Sequence, residues 1–227
     1  MQNSCQNPYP SLIPSKKPGF TLVEVLVVIA IMSVLMTAGS IGLGNINAGK
    51  GTTSAVATCE SLFEEARTIA ISKRCKARIL IDTNNIASPN YLRRVVIVHE
   101  KINPDGTVIA NNWVLAGRSY TMPPGTFFSR TYSLKDTGGA MDSVNLANVS
   151  TSYSGNYLAY EFNSEGIITS PGARFIVGSG IRKKGSNPQT DKSAGRDFGG
   201  FVTWRNGRTS IYRSPEQMNI PSTATTF

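Results

Sequence analysis

The sequence predicts an α+β protein in which one long N-terminal α-helix, apolar and then amphipathic, packs on an antiparallel β-sheet domain. No ionisable side chain occurs between Glu24 and Lys50. Apolar residues then recur at three- and four-residue spacing. Further on, short β-rich segments alternate with turn-forming residues, a spacing that only antiparallel connections allow. We therefore expect four regions: a leader at 1–19, a transmembrane helix half at 20–46, an amphipathic helix half at 47–74 and a β-rich globular domain at 75–227.

The leader at residues 1–19 is rich in proline, and its only charged side chains are Lys16 and Lys17. It has almost no periodic apolar pattern, so we expect it to be disordered. Its basic end predicts a position on the cytoplasmic side of a membrane. At 227 residues and a formal net charge of +9, the chain is long enough for one compact, basic domain and an anchor.

Residues 20–46 are predicted to span a membrane, because an uncharged run longer than about 18 to 20 residues crosses the hydrocarbon core as a helix. Glu24 is the exception near the start of this run. A carboxylate toward the middle of a bilayer costs about 3 kcal/mol or more, so it needs a partner or a task. The alternative interpretation is a first-turn residue near the headgroups that favours the helix dipole.

The stretch Gly19-Phe20-Thr21-Leu22-Val23-Glu24 resembles the processing site of the type IV pilin superfamily. The resemblance implies that a prepilin peptidase cuts the chain between Gly19 and Phe20 and N-methylates Phe20. It also implies that Glu24, fifth in the mature chain, faces the amino terminus of a neighbouring subunit. Two opposite charges in a low-dielectric layer each need the other, so this pair would set the subunit register.

An ordinary secretory signal peptide is the competing interpretation of the same region. Its basic region would be Lys16 and Lys17, its apolar core Val25 to Met36, and its cleavage site Ala38-Gly39-Ser40. An acid between the basic region and the apolar core does not suit a signal peptide, so Glu24 argues against this interpretation.

The second helix half is predicted to pack one face on the globular domain. Before it, the glycines between Gly39 and Gly51 each weaken a helix by up to about 1 kcal/mol, so we expect the helix to thin, bend or fray there. The apolar residues expected on the packed face are Ala55, Cys59, Leu62, Phe63, Ala66, Ile69 and Ala70.

The globular domain is predicted from strand-forming segments joined by turns. The pair Asn206-Gly207 predicts a hairpin with a two-residue type I′ turn. The segments Lys135 to Asn156 and Arg182 to Gly200 are predicted to be long surface loops. The predicted strands, which we expect in one sheet, cover residues 76–82, 91–101, 107–116, 157–162, 173–177, 201–204 and 209–212.

Residues with catalytic or metal-binding chemistry are few, so we expect no enzyme activity, cofactor or metal. His99, the only histidine, lies in an apolar strand and is interpreted as structural. The sequence has no zinc, P-loop, EF-hand or nucleophile-elbow motif. Asp136 and Asp142 lack the dense acidic spacing of a calcium site. Cys59 and Cys75 would be about 24 Å apart on one straight helix, so they are interpreted as unbridged thiols.

The positive charge permits binding to nucleic acid or anionic lipid, although a modest excess more commonly means a solvated surface. The second predicted loop carries five basic side chains that are candidates for contact with an acidic partner or DNA. These residues are Arg182, Lys183, Lys184, Lys192 and Arg196. A solvated loop without a partner is the alternative interpretation.

The segment Ser61 to Ile71, followed by a basic run and a strand, resembles the H-type minor pseudopilins of the type II secretion system and the T-type minor pilins. The turns Met122-Pro123-Pro124-Gly125 and Phe162-Asn163-Ser164-Glu165-Gly166 also resemble that group. The resemblance implies a pilin-like fold and a minor pseudopilin, a structural subunit for protein export. It would cross the inner membrane once, with its globular domain in the periplasm, and assemble with other pseudopilins or pilins. The alternatives are a minor type IV pilin for pilus assembly or DNA uptake, and a membrane-anchored enzyme.

Overall fold

The computed structural model describes residues 19–147, 149, 153–190, 198–212, 214–221 and 224–227. The chain divides into two compact units, Met1–Leu43 and Gly44–Phe227. One helix, α1, runs from Leu22 to Lys73 and so begins in the first unit and ends in the second. It is continuous through Gly39–Gly51, so the predicted fraying at these glycines does not occur. Each residue added to an existing helix gains a hydrogen bond, and single glycines therefore weaken a helix without ending it.

α1 ends in a Schellman motif. The amide of Cys75 donates to the carbonyl of Ala70 at 3.2 Å, and the amide of Arg74 donates to the carbonyl of Ile71 at 3.3 Å. Arg74 has a φ of 50°, the left-handed conformation that glycine usually supplies at this position. The chain then enters the first strand at Ala77.

The strands of the described residues all lie in the second unit and are mostly short. In chain order they are β1 (Ala77–Asp82), β2 (Arg94–Ile102), β3 (Val108–Leu115), β4 (Tyr120–Thr121), β5 (Thr126–Phe128), β6 (Asp142–Leu146), β7 (Gly155–Phe162), β8 (Ala173–Ser179), β9 (Phe198–Thr203) and β10 (Thr209–Ile211). A short 3-10 helix follows at Pro215–Met218.

The strands form two antiparallel sheets, whereas the sequence predicts one. The first has the order β3-β2-β1-β7-β6, with β4 also paired to β2, and the second has the order β10-β9-β8-β5. The turn around Glu165-Gly166 forms as predicted. Among the described residues, the two sides of this turn share a single isolated β-bridge, between Phe162 and Ile168. The chain then leaves for the second sheet, so β7 and β8 are not partners. Pairing between strands that are far apart in the chain leaves no local pattern in the sequence. The division of the strands into two sheets was therefore not predicted.

The core lies between the second half of α1 and the two sheets. The predicted helix face is confirmed, because Leu62 and Ile69 pack on the core and the other five side chains have no exposed surface. Phe63 of α1 contacts both sheets. Its ring meets Tyr160 of β7 at 5.0 Å, Phe175 of β8 at 5.5 Å and Phe201 of β9 at 4.9 Å between centroids, all edge-to-face. Edge-to-face contact is the geometry that aromatic quadrupoles favour.

The first sheet is also apolar on the face opposite α1, where a second cluster includes Leu80 and Trp113. Two arginines at this sheet form short ion pairs with carboxylates. Arg94 meets Asp82 at 2.6 Å, and Arg78 meets Glu161 at 2.6 Å while its guanidinium stacks over Trp113 at 4.0 Å. Charges this little exposed are tolerated because each has a partner.

The last hairpin has a three-residue loop, not the predicted two-residue turn. The amide of Gly207 donates to the carbonyl of Trp204, and the amide of Trp204 donates to the carbonyl of Arg208, both at 2.8 Å. Gly207 has a φ of 78°, whereas Asn206 is not among the described residues with positive φ. This is a type I turn followed by a glycine bulge. A Cβ at Gly207 would collide with the carbonyl of Gly166, so packing requires a glycine at this position.

The predicted loop from Lys135 to Asn156 contains strand β6, which pairs with β7 and was missed. Its polar sequence, Asp-Ser-Val-Asn-Leu, gives little local preference for a strand. In the second predicted loop, Arg182 to Gly200, Gln189 forms a β-bridge with Ile181 just before the loop, and the last residues belong to β9. Residues 191–197 lie outside the described residues.

Candidate processing and assembly site

The predicted cleavage site lies in exposed, non-helical chain just before α1. Phe20 is 86% exposed, and a Cβ added at Gly19 would meet no atom of the described residues within 4 Å. The peptide bond between the two residues is therefore sterically accessible to a protease.

Thr21 and Glu24 form a capping box at the start of α1. The amide and the hydroxyl of Thr21 both donate to Oε2 of Glu24 at 2.9 Å, and the amide of Glu24 donates to Oγ1 of Thr21 at 3.3 Å. This reciprocal arrangement satisfies amides that a helix start leaves unpaired. The carboxylate also lies at the positive end of the helix dipole. Glu24 thus has a task within its own chain, and it is exposed enough to meet a second partner.

The helix that follows presents an apolar surface. Thirteen large apolar residues between Phe20 and Met36 are each at least 48% exposed. The hydroxyl of Ser33 donates to the carbonyl of Ile29 at 2.8 Å, so this polar group is satisfied within the helix. An apolar surface of this kind is unfavourable in water and is typical of a contact with lipid or protein. Within the described residues, no helix meets both the length and the mean hydropathy of a membrane span.

Arg182, the first of the basic-loop candidates, is half-buried and bonded to its own domain. Its guanidinium donates to the carbonyl of Ser88 at 2.6 Å and to that of Tyr91 at 3.4 Å. It also lies 5.8 Å from the ring centroids of Tyr91 and Phe127. Arg182 therefore ties its loop to the segment before β2, and these bonds would compete with binding to an external anion.

The other basic-loop candidates are placed differently. Lys183 and Lys184 are exposed in a turn closed by the hydrogen bond from the amide of Ser186 to the carbonyl of Lys183. Lys192 and Arg196 lie outside the described residues. The structure thus offers two exposed lysines of the five predicted basic residues.

His99 links the end of α1 to β2. Its Nδ1 lies 2.7 Å from the carbonyl oxygen of Glu100, which can only accept, so Nδ1 carries the proton. Nε2 then accepts a hydrogen bond from Nζ of Lys73 at 2.7 Å. The imidazole is buried and both of its nitrogens are occupied, which agrees with the structural role predicted for it.

Among the described residues, the cysteines and acids show no catalytic or metal-binding arrangement. Cys59 and Cys75 are free and buried, and burial raises the pKa of both thiols. Protonated thiols are poor nucleophiles. Asp142 is paired with Nζ of Lys135 at 2.6 Å. Across the described residues, no three His, Cys, Asp or Glu side chains come together as metal ligands.

The capping box and the contacts of Arg182 were both missed in the sequence. The capping box had a local signal, because Thr followed three residues later by Glu before an apolar run is its signature. The contacts of Arg182 had none, since their acceptors lie 94 and 91 residues away.

Residues 14–40 match the family model of the prokaryotic N-terminal methylation motif. Among solved structures, the type IV minor pilin FimU of Pseudomonas aeruginosa aligns at 12% identity with a TM-score of 0.35, over 77% of this chain and 91% of that chain. The minor pseudopilin EpsH of the Vibrio cholerae Type 2 Secretion System aligns at 12% identity with a TM-score of 0.38, over 71% of this chain and 95% of that chain. No curated protein matches the sequence.

The methylation motif covers the accessible Gly19-Phe20 bond, the capping box and the start of the exposed apolar helix. The second half of the same helix packs on antiparallel sheets in an α+β domain. The chain therefore combines a prokaryotic N-terminal methylation motif with an α+β domain that packs on the same helix.

Proposed function

We propose that this chain is a minor pseudopilin, a structural subunit of a type II secretion pseudopilus that acts by assembly and not by catalysis. The observation that carries the proposal is the methylation motif at residues 14–40, which leads directly into an exposed apolar helix. The secretion branch rests on the resemblance of Ser61 to Ile71 to the H-type pseudopilins. In this role the apolar residues from Phe20 onward anchor the precursor in the inner membrane and later contact neighbouring subunits.

Processing by a prepilin peptidase is the first step of this function. Lys16 and Lys17 hold the leader on the cytoplasmic side, and the accessible bond after Gly19 is cut. Intact-mass measurement of the membrane-extracted protein should give a chain that begins with N-methylated Phe20. A mature start near Gly39 would instead identify an ordinary signal peptide and reject the proposal.

Glu24 is proposed to pair with the amino terminus of a neighbouring subunit. Its capping bonds already orient the carboxylate next to Thr21, the second residue of the mature chain. Two variants separate the helix-capping role of Glu24 from the role of its charge. Glu24→Gln keeps an oxygen that can accept from the amide of Thr21 but removes the charge, whereas Glu24→Ala removes both.

We expect both variants to be cleaved and inserted normally, because the apolar run inserts with or without the acid, and both to lose crosslinking to partner pseudopilins. The loss in Glu24→Gln is the decisive result. Wild-type crosslinking in Glu24→Gln, together with reduced crosslinking in Glu24→Ala, would show that Glu24 only caps the helix.

A minor type IV pilin for DNA uptake is the second candidate function, favoured by the net charge of +9 and the exposed Lys183 and Lys184. Phosphate contacts release counterions, so DNA affinity from this loop would fall steeply with salt. Arg182 is hydrogen-bonded to a backbone carbonyl of its own domain, so the loop should bind DNA more weakly than its basic sequence indicates. We expect only weak binding of duplex DNA by the full-length protein near physiological salt. Micromolar or tighter binding that Lys183→Ala/Lys184→Ala abolishes would favour DNA uptake.

A further inference from the structure

The hairpin of β9 and β10 carries an exposed tryptophan that is held in one orientation. Trp204 is 51% exposed. Its Nε1 donates a hydrogen bond across the hairpin to Oγ of Ser210 at 2.8 Å. Tryptophan is enriched among the residues that contribute most to the binding energy of protein interfaces. A ring that is already held in place loses little conformational freedom when a partner covers it.

The strand pairing places this tryptophan on the face of the second sheet that is turned away from α1. Phe201 of β9 packs on α1, and side chains alternate along a strand, so Trp204, three residues later, points to the other face. On β10, the hydroxyl of Thr209 donates to Oε1 of Glu60 of α1 at 2.7 Å. Arg208 precedes Thr209 and therefore lies on the same face as Trp204.

Arginines dominate the charge around this ring. Arg205 and Arg208 are exposed, and the ion pairs within the described residues involve other cations. Arg174 of β8 pairs with Val202, which points away from α1, so a third guanidinium lies on this face. Between positions 198 and 221 the sequence has three arginines and a single acid, Glu216. This face is therefore basic and complements an acidic surface.

The hairpin is fixed to the rest of the domain at its loop. The amide of Ile168 donates to the carbonyl of Arg205 at 3.3 Å. Gly207 packs so closely on the carbonyl of Gly166 that a Cβ would not fit. The tryptophan and its flanking arginines thus lie on a rigid support, and a rigid surface binds a partner with a smaller loss of entropy than a mobile loop.

We propose that Trp204, Arg205 and Arg208 form a docking surface for an acidic patch on a partner protein. In this contact the ring fills an apolar depression and the guanidiniums pair with carboxylates around it, a combination typical of interface centres. A strand of nucleic acid would stack its bases on several rings along a cationic groove, and this patch offers one exposed ring. Because the patch faces away from α1, packing of α1 with other helices leaves it open. The proposal is independent of whether the fibre serves secretion or a pilus.

A photocrosslinker beside the patch identifies what covers it. Tyr212 is half-buried and lies two residues beyond Ser210 on the same face, so Tyr212→p-benzoylphenylalanine exchanges one ring for a photoreactive one. The full-length protein is irradiated in its native cells, and the crosslinked peptides are sequenced by mass spectrometry. We expect capture of a partner protein through a segment rich in Asp and Glu. Tyr153→p-benzoylphenylalanine, which lies against the first sheet, should not capture it. N-terminal processing, measured on the same samples, reports separately on the proposed function.

Variants of the crosslinking protein test the ring and the charges. Trp204→Ala and the double variant Arg205→Glu/Arg208→Glu should each reduce the crosslink at least about fivefold. Lys101→Glu/Arg118→Glu changes the net charge equally at exposed positions elsewhere in the domain and should stay within about twofold of the parent. Unchanged circular dichroism confirms the fold of each variant. An absent crosslink, capture of nucleic acid or of a segment without acids, an insensitive crosslink, or equal loss in both double variants would overturn the proposal.

Discussion

Replacing Phe63 by alanine tests whether one ring holds α1 against both sheets. Phe63 has no exposed surface, and its ring makes edge-to-face contacts with four aromatic rings, those of Tyr160, Phe162, Phe175 and Phe201. A buried Phe→Ala substitution costs about 3 to 5 kcal/mol through lost transfer free energy and the cavity left behind. Each aromatic pair adds about 0.5 to 1.5 kcal/mol, so we expect the upper end, about 4 to 5 kcal/mol of unfolding free energy.

The assay is urea unfolding of the full-length protein in detergent micelles, followed through tryptophan fluorescence, to which the buried Trp113 and the exposed Trp204 both contribute. Phe63→Leu keeps most of the volume and should cost less than half as much as alanine. Glu65→Ala, exposed on the same helix, should stay within about 0.5 kcal/mol of wild type. A loss below about 2 kcal/mol for Phe63→Ala would refute this reasoning, because collapse of the surrounding rings would then compensate for the missing side chain.

Three further predictions follow from single sites. Arg74→Gly should raise the unfolding free energy by about 1 kcal/mol in the same assay, because glycine adopts the left-handed cap conformation without a Cβ penalty; a loss of stability would contradict the cap assignment. Hydrogen bonds from the hydroxyl and amide of Thr107 lower the pKa of Asp105. The ionised carboxylate therefore stabilises the fold at pH values above the ordinary pKa of aspartate, and this stabilisation is lost as the pH falls through the lowered pKa. Asp105→Ala should therefore have a lower urea midpoint than wild type at neutral pH and the same midpoint in strong acid, and a difference that persists in acid would count against these bonds. Burial raises the pKa of the Cys59 thiol far above its ordinary value, so iodoacetamide at pH 8 should label Cys59 only after unfolding, as judged by mass spectrometry; equal labelling of the folded protein would show that the site opens.

The sequence alone was sufficient for features that depend on neighbouring residues. The helix, its packed face and most strand positions follow from local periodicity, and the structure confirms them. The methylation motif includes the contiguous run from Gly19 to Glu24, so it could be recognised without tertiary information, and the match to its family model spans residues 14–40. The capping box is equally local, because Thr21 and Glu24 stand three residues apart just before the apolar run.

The tertiary structure decided what depends on contacts between distant segments. It divides the strands into two sheets, forms β6 within a polar segment by pairing it with β7, and engages Arg182 with carbonyls more than 90 residues away. It also requires a glycine at position 207, where Gly166 from another turn leaves no space for a side chain. Each of these outcomes depends on the packing or hydrogen bonding of residues far apart in the chain, and such partners leave no periodic or spacing signal in a single sequence.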